Sequence, residues 1–218
     1  MLKTHKDSIK LPLAGLTAAY GIAYLVALRG LSTLDTLPSI QSQLGASLAL
    51  TLLGYLISVV LTGQLDAVQK ARLIFLRWHD PLPGGEAFTK LMLSDRRIDA
   101  ADVKRKHGPL PQKRDEQNRL WYRLYKAVGT DSSVEDASKH YLLSRDATFV
   151  TLFMGFASTA ALLWFGEGAA LKAVFAGVCL VTFLLVWRAA RLAGQRLVTQ
   201  VLILNPDVEK PVSLLWTP

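Results

Sequence analysis

Two acidic groupings, Asp95/Asp99/Asp102 and Asp115/Glu116, are the residues in this sequence best suited to acid–base or cation chemistry, with His107 between them. Carboxylates three or four positions apart fall on one helix face, where two can share a cation. A nearby imidazole can carry a proton at neutral pH. A membrane-surface hydrolase built on these carboxylates and His107 is therefore one reading. The same spacing also suits helix caps and surface partners for the adjoining Arg96, Arg97 and Arg114, and that is the reading adopted. The sequence has no glycine-rich phosphate loop, no nucleophile elbow and no HExxH pair. Its four histidines, His5, His79, His107 and His140, are far apart, and its one cysteine, Cys179, leaves no intrachain disulfide or thiolate pair. No enzymatic activity, metal or cofactor is expected.

The run Glu116–Tyr125 interleaves arginines with aromatics, notably Arg119, Trp121, Tyr122 and Arg123. Such a face can stack on bases or nucleotides. It can equally form an interfacial belt at lipid headgroups or a small domain's own core. These four are taken as contacts for a ligand or partner, with a cytosolic protein preferred over nucleic acid or nucleotide. A second constellation is Arg145-Asp146, where a polar segment meets an apolar one. A carboxylate there is costly unless paired or hydrated. Arg77, Arg97 and the Arg145 of a neighbouring subunit are its expected partners, and the group is expected to couple a polar cap to the apolar helices.

The elements that must position these residues follow from hydropathy. Apolar stretches at 11–28, 44–63, 147–166 and 169–187 contain no Asp or Glu, and Lys172 is the one cation within them. Each approaches the ~20 residues needed to cross a ~30 Å hydrocarbon core. A soluble helix would keep a polar stripe on its solvent face, and these stretches have none. The expected fold is an all-α membrane protein with four transmembrane helices in two hairpins and a small helical cytoplasmic domain between the second and third. The boundaries are 1–63 (first hairpin), 64–146 (cytoplasmic helical domain), 147–190 (second hairpin) and 191–218 (cytoplasmic C-terminal helix and tail).

Charge sets the orientation. Residues 64–146 hold sixteen of the twenty-five Lys and Arg, whereas the two short connections and their edges hold only Arg29 and Lys172, the latter near the start of the fourth stretch. Cations near membrane ends stay on the cytoplasmic side, so both termini and the central segment are expected there, in a multi-pass inner-membrane protein. The net charge of +8 then reflects topology and attraction to anionic lipid. It is a weak pointer to nucleic acid, because the same segment carries twelve acidic residues. Residues 11–28 are read as a retained helix rather than a signal peptide, being long for an h-region and followed by no small-residue cleavage site. No Asp, Glu, Arg or His lies mid-span, which argues against a proton or ion relay.

Small residues recur every fourth position at Gly15, Ala19, Ala23 and Ala27, and again at Ala169, Ala173 and Gly177. They let backbones approach closely, either within the chain or between copies of a homo-oligomer. In the polar segment, 64–78 is expected to continue the second apolar helix as a stalk, and 79–85 to break it through two prolines and a glycine pair. Short helices are expected over 86–93 and 99–107. The strongest is 115–128, with Leu120, Trp121, Leu124, Tyr125 and Val128 at three- and four-residue steps. Ser132 or Ser133 is expected to cap a helix that runs unbroken into the third apolar stretch.

The strings HDPLPGGEAF, RRID, EQNRLWYRLYK and YLLSRD resemble small bacterial inner-membrane proteins with four spans and a cytosolic insert. The resemblance covers roughly the central third of the chain and implies topology and a bacterial source. By architecture the chain is also similar to membrane effectors of phage-defence systems, which implies a role in antiviral defence. The function expected is a homo-oligomeric membrane protein whose cytoplasmic domain senses a partner or ligand and alters permeability or recruits that partner. A structural subunit of a larger membrane complex is a further alternative.

Overall fold

The computed structural model describes residues 10–29, 54, 56, 57, 60–165, 168–204 and 206. No strand occurs among them. Helix α1 covers Lys10–Arg29, residues 60–64 are helical, and α2 covers Ala67–Phe75. A composite helix follows, built from a 3-10 turn at Pro83–Glu86, a π turn at Ala87–Leu91 and an α turn at Met92–Ser94. Then come α3 (Ala100–His107), α4 (Arg114–Val128), α5 (Ser132–Phe165) and α6 (Ala169–Leu204).

Helices α5 and α6 are long and apolar enough to cross a bilayer. The described residues therefore carry two such helices where four were expected. Helix α1 is itself 20 residues long, and among the described residues its apolar run is counted over Leu11–Tyr24. Most of 44–63 and all of 207–218 lie outside the described residues.

The expected stalk is corrected as well. The helix stops at Leu65, and α2 starts afresh after Asp66. The Asp66 carboxylate accepts the Gln69 N–H at 2.6 Å, and the Gln69 side-chain oxygen accepts the Asp66 N–H at 2.9 Å. This reciprocal pair is a capping box, which satisfies donors that a new helix start would otherwise leave open. Helix α2 ends at Phe75 rather than continuing to Trp78. Leu76 takes a left-handed φ of 52°, and the Arg77 N–H donates to the Arg72 carbonyl at 3.3 Å, the bonding of a Schellman stop. The break is also shorter than expected. Pro83 opens the 3-10 turn, because a first-turn position needs no N–H and suits the fixed φ of proline.

The chain divides into two compact units, Met1–Lys70 with Leu142–Arg191, and Ala71–Tyr141 with Leu192–Pro218. In the first, Tyr20, Val150, Met154, Leu162, Phe175 and Cys179 form a buried cluster, with Leu13, Leu16 and Tyr24 packed against it. The Thr17, Thr148 and Thr151 hydroxyls donate to carbonyls of their own helices, at Leu13, Ser144 and Thr148. These three hydroxyls are thus satisfied within their own helices.

In the second unit, Ile74, Phe75, Phe88, Met92, Val103, Trp121, Leu124, Val134 and Val198 are buried. Two glycines permit its close approaches. A Cβ on Gly84 would stand 2.7 Å from Trp121 Cε3, and one on Gly194 would stand 2.8 Å from Phe75 Cζ. Helix α5 begins at an unexpected cap. Asp131, rather than Ser132 or Ser133, accepts the Ser133 N–H at 2.9 Å, and its carbonyl accepts the Glu135 N–H at 2.8 Å. The Ser133 hydroxyl and N–H hold the Asp131 carboxyl below the usual range.

Candidate functional site

Asp146 lies on α5 at the start of the apolar stretch, where an isolated carboxylate would be strongly disfavoured. Its Oδ1 accepts from Arg145 Nε at 2.9 Å and stands 3.4 Å from Lys70 Nζ on α2. The three side chains are largely withdrawn from solvent, at 18%, 16% and 10% exposure. Two cations around one carboxylate in so sheltered a place form a tightly coupled charge cluster. Lys70 was not anticipated. It lies seventy-six positions from Asp146, a separation that left no signal in the sequence.

Arg77 and Arg97, expected beside Asp146, are engaged elsewhere. Arg77 bonds Glu86 at 2.5 Å, and Arg114 reaches the same Glu86 oxygen at 3.1 Å. Burial works to raise the Glu86 pKa, but the hydrogen bond from Arg77 and the charges of Arg77, Lys90 and Arg114 outweigh it. The carboxyl is held below its usual range. Arg97 folds back on Asp95, with Nε at 3.0 Å and a terminal nitrogen at 2.7 Å from its two oxygens. That bidentate bond, with the Arg97 N–H, lowers the Asp95 pKa to about 2. In both cases a carboxylate closer in sequence captured the arginine, because a local loop costs less entropy to close.

The aromatic face of α4 splits into core and surface. Trp121 is buried, stacked on Tyr125 at 5.6 Å, and its Nε1 has no hydrogen-bond partner among the described residues. It is therefore a core residue and not an exposed contact. Tyr122 is half exposed, stacks on Tyr125 at 6.1 Å and carries Lys126 Nζ 5.5 Å from its ring centre. Arg119 is exposed and pairs with Asp115 at 3.4 Å, and Arg123 is exposed.

The buried polar residue of α4 is Gln117, which sequence reasoning missed. Its Oε1 accepts the N–H groups of Phe88 and Thr89 at 3.1 and 3.2 Å, and its Nε2 donates to the Gln112 carbonyl at 2.9 Å. It thereby supplies acceptors for the first N–H groups of the π turn, donors with no partner inside that turn.

The acidic groupings disperse onto local partners. Asp99 caps α3 by accepting the N–H groups of Ala101 and Asp102. Asp102 pairs with Arg105 and Lys106, and Glu116 with Lys113. Among the described residues no group of three or more His, Cys, Asp and Glu side chains is placed to hold a metal ion.

Of the small-residue stripes, Gly15, Ala19, Ala23, Ala169, Ala173 and Gly177 are exposed on the chain. A Cβ at Gly15 or Gly177 would meet nothing within 4 Å. Ala27 lies outside the residues described with side chains. No family model, curated protein or solved structure matches this chain.

Proposed function

We propose that the protein is a non-enzymatic, homo-oligomeric membrane protein. Its polar segment faces the cytoplasm and receives a ligand or protein partner. Its apolar helices respond by changing permeability or by bringing that partner to the bilayer. The observation that carries this reading is on α6, where only 11% of the apolar window is buried within the chain. Val174, Val178, Val181 and Leu185 all stand open. An apolar face of that extent is met by lipid or by another copy, and the exposed small residues on α1 and α6 suit close helix contact in lipid.

In this reading, residues 11–28 and 44–63 supply the other two spans. The cations of 64–146 hold that segment on the cytoplasmic side. The local engagement of Asp95, Asp99, Asp102 and Asp115 favours a binding protein over a hydrolase. Lys70, Arg145 and Asp146 are the residues proposed to couple the polar segment to the apolar helices.

Particle mass in lipid nanodiscs tests the assembly. Several 24.0 kDa subunits per particle is the expected result, and a monomer overturns the homo-oligomer. Topology is tested on a Cys179→Ala background with a membrane-impermeant maleimide. Glu167→Cys should label in intact spheroplasts and Lys104→Cys only after lysis. The reverse pattern overturns the orientation.

A further inference from the structure

A cleft of about 280 Å³ lies within the second unit, between the end of the composite helix and the C-terminal part of α6. Its polar lining includes Ser94, Asp95, Arg96, Arg97, Gln195 and Arg196. Three guanidinium groups and one carboxylate therefore share one concavity.

The carboxylate is already spent. Asp95 binds Arg97 through both oxygens and also accepts the Arg97 N–H at 3.1 Å, so this pair contributes no net charge to the cleft. Arg96 and Arg196 are exposed and have no ion pair or hydrogen bond from their side chains among the described residues. Two uncompensated cations at one cleft repel each other. Gln195 adds an amide without a side-chain partner, whereas the Ser94 hydroxyl proton is committed to the Leu91 carbonyl at 3.0 Å.

This lining selects the occupant's chemistry. A guanidinium presents N–H groups in a planar fork that matches two oxygens of an oxyanion. Two forks and an amide exceed what one carboxylate can accept. They suit a tetrahedral phosphate, which has at least three acceptor oxygens and close to two negative charges near neutral pH. The volume falls just below the range of ligand sites, which starts at about 300 Å³, so it fits a phosphate or pyrophosphate group better than a whole nucleotide.

We infer that the cleft between Arg96 and Arg196 binds a phosphate-bearing anion, either a small soluble phosphate compound or the phosphomonoester of a lipid headgroup. The inference deepens the function proposed above by naming a ligand class for the cytoplasmic segment, and it rests on that reading for the side of the membrane on which the ligand is met. Binding itself depends only on the cleft.

The test uses the full chain in nanodiscs of zwitterionic phosphatidylcholine, titrated calorimetrically with pyrophosphate. Saturable binding is expected. Arg96→Gln and Arg196→Gln should each weaken it by about tenfold or more, the loss expected for one charge-assisted contact. Asp95→Asn keeps the acceptor oxygen but releases the charge of Arg97 into the cleft, so it should tighten binding. Opposite signs from neighbouring positions exclude loss of folding as the cause.

A parallel arm adds phosphatidic acid, whose headgroup is a phosphomonoester, to the phosphatidylcholine and follows the thermal transition. A phosphatidic-acid-dependent rise that both arginine variants abolish, without pyrophosphate binding, assigns the lipid source. No response to either probe, or responses indifferent to both arginine variants, overturns the site. Because neither arm measures flux or subunit number, failure here leaves the membrane reading standing, and failure of that reading leaves the binding result intact.

Discussion

Lys70 and Asp146, seventy-six positions apart, meet at 3.4 Å in a place largely closed to water. Arg145 completes the group from the residue next to Asp146. Removing the carboxylate would leave two sheltered cations facing each other. Asp146→Asn is expected to destabilise the folded chain by about 3 kcal/mol, the lower end for breaking a buried pair. Lys70→Met in the same chain should restore part of the loss, and thermal melts of the single and double variants provide the cycle. A double variant no more stable than Asp146→Asn would refute the pairing.

Gln117 holds the π turn through two backbone N–H groups. Gln117→Leu keeps the volume but takes the acceptor from both donors, that of Phe88 in the core and that of Thr89 at its edge. With ~1–3 kcal/mol for each unsatisfied group, the expected cost is about 2–4 kcal/mol. Hydrogen exchange at Phe88 and Thr89 should rise well beyond that at α4. Unchanged protection at those two amides would show that the glutamine does not support them.

Acid should loosen the Glu86 clamp. Its pKa is lowered from an ordinary 4.5, so the folded state binds the proton less readily than the unfolded one. The resulting stability is fully present above about pH 5 and is lost as pH falls through the lower folded value. Melting temperatures of the parent and Glu86→Gln should therefore differ most near neutrality and converge in acid. Parallel curves across the whole range would remove the charge from the account.

Leu76 occupies a left-handed position at φ 52° and is 65% exposed. Glycine tolerates that conformation without the ~1–2 kcal/mol penalty of an L side chain, although it adds unfolded-state entropy. The net expectation for Leu76→Gly is a gain of about 0.5 kcal/mol, read from denaturant midpoints. A lower midpoint would mean that the side chain packs usefully.

Periodicity made α4 legible, because Trp121, Leu124 and Val128 repeat at helical steps whatever surrounds them. Composition alone identified α5 and α6 as candidate spans. Local start signals were overridden by the apolar run before them. The D-x-x-Q of Asp66–Gln69 and the Asp131 ahead of two serines were both present in the sequence, and each is worth about 1 kcal/mol to a helix start. Charge partners were the least legible part. Arg77 and Arg97 meet carboxylates close by in sequence, whereas Lys70 meets Asp146 across seventy-six positions, a pairing that only tertiary placement decides. The π turn has no composition signature at all, since it depends on an acceptor supplied from another helix.

The π turn at Ala87–Leu91 also bears on how this chain tolerates a change of length. A π turn holds roughly one residue more than an α turn. A homologue one residue shorter there could keep an unbroken helix, but each later residue would be turned by about 100°. Leu91 and Met92, both buried now, would leave the core together. The surplus residue is thus a phase setting. An insertion or deletion at this point, unlike one in a surface loop, changes which side of the helix faces inward.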